Sequence, residues 1–282
     1  MKRMKICDTH NDFLTELPVE KIAEYVKDCE KFNVEKICAS FWSSRKKETE
    51  IKRDLEIRSK MLKEAGNSTL LHLEDLWWVK TKGDLCFLEK LRPFSCSLTW
   101  NGANSLAGGV GSQEDLSEWG KEVLQVLLKN NIVVDVAHLN RKSFWTISRL
   151  LKKPLYCSHT GFYGLKKHPR NLTDKQIEKI VDSGGFVGLF FFEDCIKNKK
   201  RLSFDVFDIA TNIKYFTNHW GFENLGIGTD FYGIEKYPMG LESYDGFETL
   251  KNAMEREGFS KKQIEKIFYQ NFENFIMRVQ NF

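Results

Sequence analysis

Short runs rich in apolar and β-branched residues alternate along the chain with longer stretches whose apolar residues recur at helical spacing. Eight runs read as strands: "MKICDT", "EKICASF", "STLLHLE", "FSCSLTW", "IVVDVAH", "LYCSHT", "GFVGLFFF" and "NLGIGTD". Between them lie amphipathic segments such as "VEKIAEYVKDCEKF", "EIKRDLEIRSKMLKEAG", "LSEWGKEVLQVLLKNN", "SFWTISRLLKK", "LTDKQIEKIVDSG" and "SFDVFDIATNIKYFTNHWG", with a shorter crossover around "GDLCFLEKLR". Thr173 is placed to cap the helix that begins "DKQIEKI", and Gly184 to stop it. Helical stretches at about 245–257 and 260–279 close the chain.

Strands that alternate with helices predict a parallel sheet, and eight such units in 282 residues predict an α/β fold, the (β/α)₈ TIM barrel. A doubly wound open sheet is the main competitor. No G-x-G-x-x-G follows the first strand, which weakens its dinucleotide-binding form. With no linker or low-complexity tract, residues 1–282 read as a single domain.

Composition narrows the function classes. The net charge of +4 is scattered, and the densest basic run, "KNKKR" at 197–201, reads as a solvated loop, so no nucleic-acid partner is expected. Seven cysteines without a C-x-x-C pair point to reduced thiols. "MKRMK" is followed by "ICDTHNDF" instead of an apolar leader core, and no apolar run reaches spanning length. The expectation is a cytoplasmic protein without a membrane partner.

Candidate chemistry appears when the ionisable residues are set on the strands. In "CDTHNDF" a strand period of two would send Asp8, His10 and Asp12 to one face. His10 and Asp12 end the first strand, Glu74 the third, His138 the fifth, His159 the sixth and Asp230 the eighth. In this barrel those strand ends form the functional rim. Singly, each residue could be a helix cap or a satisfied core group. Glu74 resists that reading, because "LLHLE" is otherwise a buried run and a lone buried carboxylate is unfavourable.

Among the other candidates, His72 is expected a layer deeper, His219 at a helix end and Cys157 as a barrel-core thiol. His168 falls in a loop beside Arg170. Three imidazoles with carboxylates suit zinc, with manganese, iron or cobalt as alternatives. Five ligands exceed one open four-coordinate site and suit two metals sharing a carboxylate, which points to hydrolysis.

The motifs resemble those of the membrane (renal) dipeptidases and their bacterial relatives. "DTHNDF", "LEDLWW", "LTWNGANSLAGG", "VVDVAH", "PLYCSHTGFYGLKKHPRNLTDKQIEKIVDSGGFVGLFF" and "LGIGTDFYG" follow in that family's order. The resemblance implies two zinc ions bridged by Glu74, one completed by His10 and Asp12, the other by His138 and His159. It assigns Asp230 to proton transfer and Arg170 to the substrate's terminal carboxylate, where a planar guanidinium fork fits. A structural pairing of Arg170 with Asp174 is the alternative. Asp8 and Asp135, shortly before His10 and His138, are expected to hold the outer ring nitrogens of the ligand histidines.

Three departures bear on specificity. Trp100 stands where the mammalian enzymes carry a histidine thought to bind the substrate carbonyl, Tyr232 stands where a second aspartate is usual, and Phe190 to Phe192 replace a more polar strand ending. The resemblance thus implies a dinuclear zinc dipeptidase acting on short peptides, including those with a D-residue at the second position, through an altered, more aromatic pocket. A deacylase, lactonase or phosphoesterase with the same metals is the enzyme alternative, and a ligand-binding barrel without turnover the non-enzymatic one. The aromatic "IFYQNFENFIMRV" near the C-terminus is expected to pack on the barrel, with a homodimer interface left open.

Overall fold

The computed structural model describes residues 3–43, 46–66, 68–197 and 202–280. Four residues of the basic run, 198–201, therefore lie outside the described residues. The strands are β1 (Ile6–Asn11), β2 (Val34–Trp42), β3 (Thr69–Glu74), β4 (Ser95–Ser97), β5 (Val133–Asp135), β6 (Tyr156–Thr160), β7 (Phe186–Leu189) and β8 (Leu225–Ile227). They pair in sequence order into a closed barrel, with Asp8 of β1 in register with Ile227 of β8. That closure is the (β/α)₈ TIM barrel and rules out an open doubly wound sheet.

Helices α1 (Ile22–Lys31), α2 (Glu48–Ala65), α3 (Lys82–Leu91), α4 (Glu118–Lys129), α5 (Arg141–Leu150), α6 (Asp174–Asp182) and α7 (Val206–Trp220) follow the first seven strands in turn. Each buries an apolar stripe on the barrel wall, as Val123, Leu124 and Leu127 do in α4. Thr173 is the N-cap of α6, where Gln176 Oε1 accepts from its backbone nitrogen at 3.1 Å, and Gly184 follows the helix with φ +70°. His219 ends α7, its Nδ1 2.7 Å from the Tyr215 carbonyl oxygen.

After β8 come α8 (Phe247–Arg256), α9 (Lys261–Glu265), a π-helical turn (Lys266–Gln270) and α10 (Asn271–Gln280). The last helix seals the end of the barrel away from the strand C-termini. Phe272 and Phe275 are buried there beneath Tyr156, whose ring stacks on Phe275 at 5.2 Å and 17° and whose hydroxyl donates to the Thr9 carbonyl at 3.0 Å. The aromatic C-terminal segment is thus the barrel's floor. Among the described residues no helix is long and apolar enough to cross a membrane.

Strands β5 and β8 are shorter than their apolar runs suggest. β5 stops at Asp135 and β8 at Ile227, so His138 and Asp230 each lie three residues beyond a strand. Both adopt left-handed backbone, φ 64° at His138 and 63° at Asp230. Non-glycine residues adopt that conformation seldom and at a cost of about 1–3 kcal/mol. The kink turns each side chain back over the barrel mouth.

If α10 is an integral floor, Phe275→Ala should lower unfolding free energy by about 3–5 kcal/mol in urea titration. A loss below about 1 kcal/mol would show that the helix lies outside the cooperative core.

Candidate metal centre

Seven of the residues singled out from the sequence converge at the mouth: His10, Asp12, Glu74, His138, His159, Arg170 and Asp230 line or adjoin one cleft of about 290 Å³. A larger cavity of about 590 Å³, near Arg3 and Lys251, holds no comparable donor group among the described residues.

Two donor triads share Glu74. His10, Asp12 and Glu74 form one, and Glu74, His138 and His159 the other, each with ligand atoms within 4.8 Å of one another. A third grouping adds Asp230 to His10 and His159. His10 Nε2 lies 3.2 Å from Asp12 Oδ2 and 3.9 Å from Glu74 Oε2, while Glu74 Oε1 lies 2.9 Å from His138 Nε2 and 3.8 Å from His159 Nε2. His10 Nε2, Asp12 Oδ1 and Glu74 Oε1 are buried without any hydrogen-bond partner among the described residues. Buried polar atoms are ordinarily satisfied, so orphaned donors that converge with three imidazoles fit divalent cations.

The outward nitrogens are held. His138 Nδ1 is 2.8 Å from Asn101 Oδ1, which as an acceptor keeps the proton on Nδ1 and leaves the Nε2 lone pair facing the cleft. The Asp135 carboxylate accepts from the Ser158 hydroxyl, whose oxygen is 2.8 Å from His159 Nδ1 and 3.5 Å from His10 Nδ1.

Asp135 therefore serves His159 of the adjacent β6 and His10 of β1 through Ser158 and does not touch His138, correcting the expectation. Asp8 departs further and does not reach the His10 ring. Its carboxylate accepts from the Thr229 backbone nitrogen at 2.8 Å, the Thr229 hydroxyl at 2.7 Å and the Tyr244 hydroxyl at 2.5 Å. In the folded protein Asp8 thus anchors the turn that carries Asp230. Asn101 and Ser158 were invisible in the sequence, because polar residues in loops and strands look alike until their partners are known.

Burial raises the carboxyl of Glu74 well above the usual range, with Asp12 and Asp230 adding to the shift and His10 opposing it. Burial lowers His138 and His159, which stay neutral. At His10 burial is outweighed by Asp12, Glu74 and Asp230, which raise it to about 10. Asp230 is pushed up to about 7, first by burial and then by Asp12, against His10 and Arg170.

Arg170 is buried in the cleft, its Nη2 3.1 Å from His138 Nε2 and its guanidinium 5.5 Å over the Phe190 ring. Asp174 instead accepts from the Tyr215 hydroxyl at 3.0 Å. Trp100 and Tyr232 line the cleft, joined by Trp42 and Glu16, which the sequence did not single out. Phe190 and Phe192 face it, whereas Phe191 turns into the core against Phe231 and Phe247. His72 lies beneath His10, bonded to Ser95 Oγ at 2.8 Å, and Cys157 is a core thiol. Gly233 allows close approach, since a Cβ there would sit 2.4 Å from Asp12 Oδ2 and 2.5 Å from Asp230 Oδ1.

The model of the family described as "Membrane dipeptidase (Peptidase family M19)" matches residues 83–282. The match includes His138, His159, Arg170 and Asp230 and starts after His10, Asp12 and Glu74. The chain is 30% identical over 190 residues to the "uncharacterized protein in pqqA 5'region" of Klebsiella pneumoniae, covering 64% of this chain and 70% of that one. It is 29% identical over 170 residues to an uncharacterized dipeptidase of Schizosaccharomyces pombe, covering 60% of this chain and 41% of that one. Among solved structures, a dipeptidase of the same family superposes with TM-score 0.88 at 20% identity over 99% of both chains. A Rhodobacter sphaeroides metallopeptidase, liganded with a phosphinate mimic of the dipeptide L-Ala-D-Ala, gives 0.87 at 18% identity over 99% and 100%. At these identities the superpositions speak for the fold.

Two outcomes are expected. His10 holds a proton below pH about 10 and must lose it to act as a ligand, so metal uptake releases protons and apparent affinity climbs with pH. Calorimetric titration in buffers of different ionisation enthalpy measures the release, and none between about pH 6 and about pH 9 would contradict the cluster's electrostatics. Gly233→Ala should weaken metal retention at least about tenfold by displacing Asp12 and Asp230, with the fold intact by circular dichroism.

Proposed function

The chain belongs to the membrane dipeptidase family of metal-dependent hydrolases, and from that premise we propose that it is a dinuclear metallodipeptidase cleaving the amide bond of short peptides. The observation that carries this reading is the pair of donor triads sharing Glu74, set in one cleft with the buried Arg170 guanidinium. His10, Asp12 and Glu74 would hold one cation, and Glu74, His138 and His159 the other. Zinc suits this donor set, with manganese, iron or cobalt as alternatives. When bound, two such cations supply a water acidified to near neutral pH and polarise the substrate's amide carbonyl.

The protein's own groups do the rest. Arg170 holds the substrate's terminal carboxylate with its planar fork, which fixes the scissile amide over the donor cluster. Asp230, raised to about 7 in a buried setting, takes a proton from the attacking water and returns it to the leaving amine. Asp8 and the left-handed backbone at Asp230 keep that carboxylate aimed at the cleft. The placement of Arg170 in the cleft favours a peptide with a free carboxylate over a lactone or phosphoester. A D-residue at the second position is included, in line with the L-Ala-D-Ala mimic bound by the Rhodobacter sphaeroides relative.

Zinc-loaded protein should therefore hydrolyse L-Ala-L-Ala and L-Ala-D-Ala, and Glu74→Gln should lower kcat/KM at least about 10³-fold with loss of metal. Arg170→Met should raise KM at least about tenfold for free dipeptides and leave their carboxamides, already poor substrates, little changed. A metal-loaded protein inert to every dipeptide would overturn the proposal.

A further inference from the structure

The cleft has two chemically distinct sides. Strand order places β8, β1 and β2 side by side and β4, β5 and β6 across the barrel from them. Arg170 lies on the second arc. Glu16, Trp42 and Glu235 lie on the first. The Trp42 backbone nitrogen donates to Thr15 Oγ1 at 2.7 Å, fastening the turn that carries Glu16 to the end of β2. The Glu16 nitrogen donates to the Asp12 carbonyl at 3.1 Å, so Glu16 stands one helical turn, about 5–6 Å, from Asp12. Gly233, packed against Asp12, brings Glu235 to the same arc.

The Trp42 and Trp100 rings lie 4.8 Å apart at 51° and form an aromatic wall in the cleft that these acids also line. Among the described residues neither Glu16 nor Glu235 makes an ion pair, and Lys236 next to Glu235 lies 3.5 Å from Glu193 instead. The deeper carboxylate of Asp12 has, in the same cleft, a buried oxygen without a hydrogen-bond partner among the described residues.

The geometry points to a specificity pocket for a basic side chain, making dipeptides with Lys or Arg at the N-terminal position the preferred substrate class. This deepens the dipeptidase reading and rests on it. With the terminal carboxylate at Arg170, the substrate's first side chain is directed toward the opposite arc. An α-ammonium beside the scissile amide stays near the deep carboxylates. Reaching Glu16, a helical turn farther, takes a side chain as long as Lys or Arg. The alkyl stem would lie on Trp42 and Trp100, and the charge would face aromatic rings and two carboxylates.

The test compares kcat/KM for L-Arg-L-Ala with isosteric, neutral L-citrullinyl-L-Ala, and for L-Lys-L-Ala with L-norleucyl-L-Ala, on the zinc-loaded protein. The basic member of each pair should be favoured about two- to fivefold, the scale of a solvent-screened charge pair. The preference should shrink at high salt and fall toward unity in a Glu16→Gln, Glu235→Gln double variant. Each ratio comes from one preparation, so partial misfolding cancels. Ratios at or below one overturn the inference while the dipeptidase reading stands. A preference that survives both salt and the double variant also overturns it, because the acids would not be its source. Absence of turnover for all four dipeptides overturns both readings.

Discussion

A carboxylate with a buried oxygen that no hydrogen bond satisfies among the described residues sits at the centre of this barrel's mouth. Glu74 is only 4% exposed, with Asp12 and Asp230 close enough to raise its proton affinity and a histidine to either side. An isolated buried charge is strongly unfavourable, and removing one partner of a buried pair typically costs several kcal/mol. The protein must compensate this concentration of like charge with a proton, as on His10, or with cations. The rest of the mouth follows from that requirement.

Support for the cluster reaches outward through short links. Asn101 and the Asp135–Ser158 pair orient imidazoles, while Asp8 with Thr229 and Tyr244 fixes the turn leading to Asp230. These partners come from strands far apart in the chain, so the closed barrel is itself part of the site. Left-handed backbone at His138 and Asp230 is tolerated because hydrogen bonds on both sides over-determine it, as where the Asp230 nitrogen donates to the His10 carbonyl at 3.0 Å. The aromatic floor at the opposite end holds the strands without entering the chemistry.

Around this polar centre the cleft walls are aromatic, from Trp42 and Trp100 on one side to Phe190 and Phe192 on the other. Low-dielectric walls strengthen every charge between them, including the Arg170 guanidinium that lies over Phe190.

The alternation of apolar runs and amphipathic helices was enough to read the barrel, because period and turn residues are local properties of the chain. The strand-end positions of His10, Glu74 and His159 were legible for the same reason, and the family's motif order marked Arg170 and Asp230. Where each strand stopped was not legible, since the exits at Asp135 and Ile227 depend on neighbouring registers and on left-handed turns. The partners of Asp8 and Asp135 were equally hidden: sequence proximity pointed to His10 and His138, whereas closure brought Thr229 and Ser158 into reach. Which of the three phenylalanines after β7 meet the cleft was hidden too: Phe191 enters the core, and Phe190 and Phe192 line the cleft. Local pattern determined which elements form and which residues reach the rim; pairing across the barrel decided what each of them touches, because those contacts join residues up to more than two hundred positions apart.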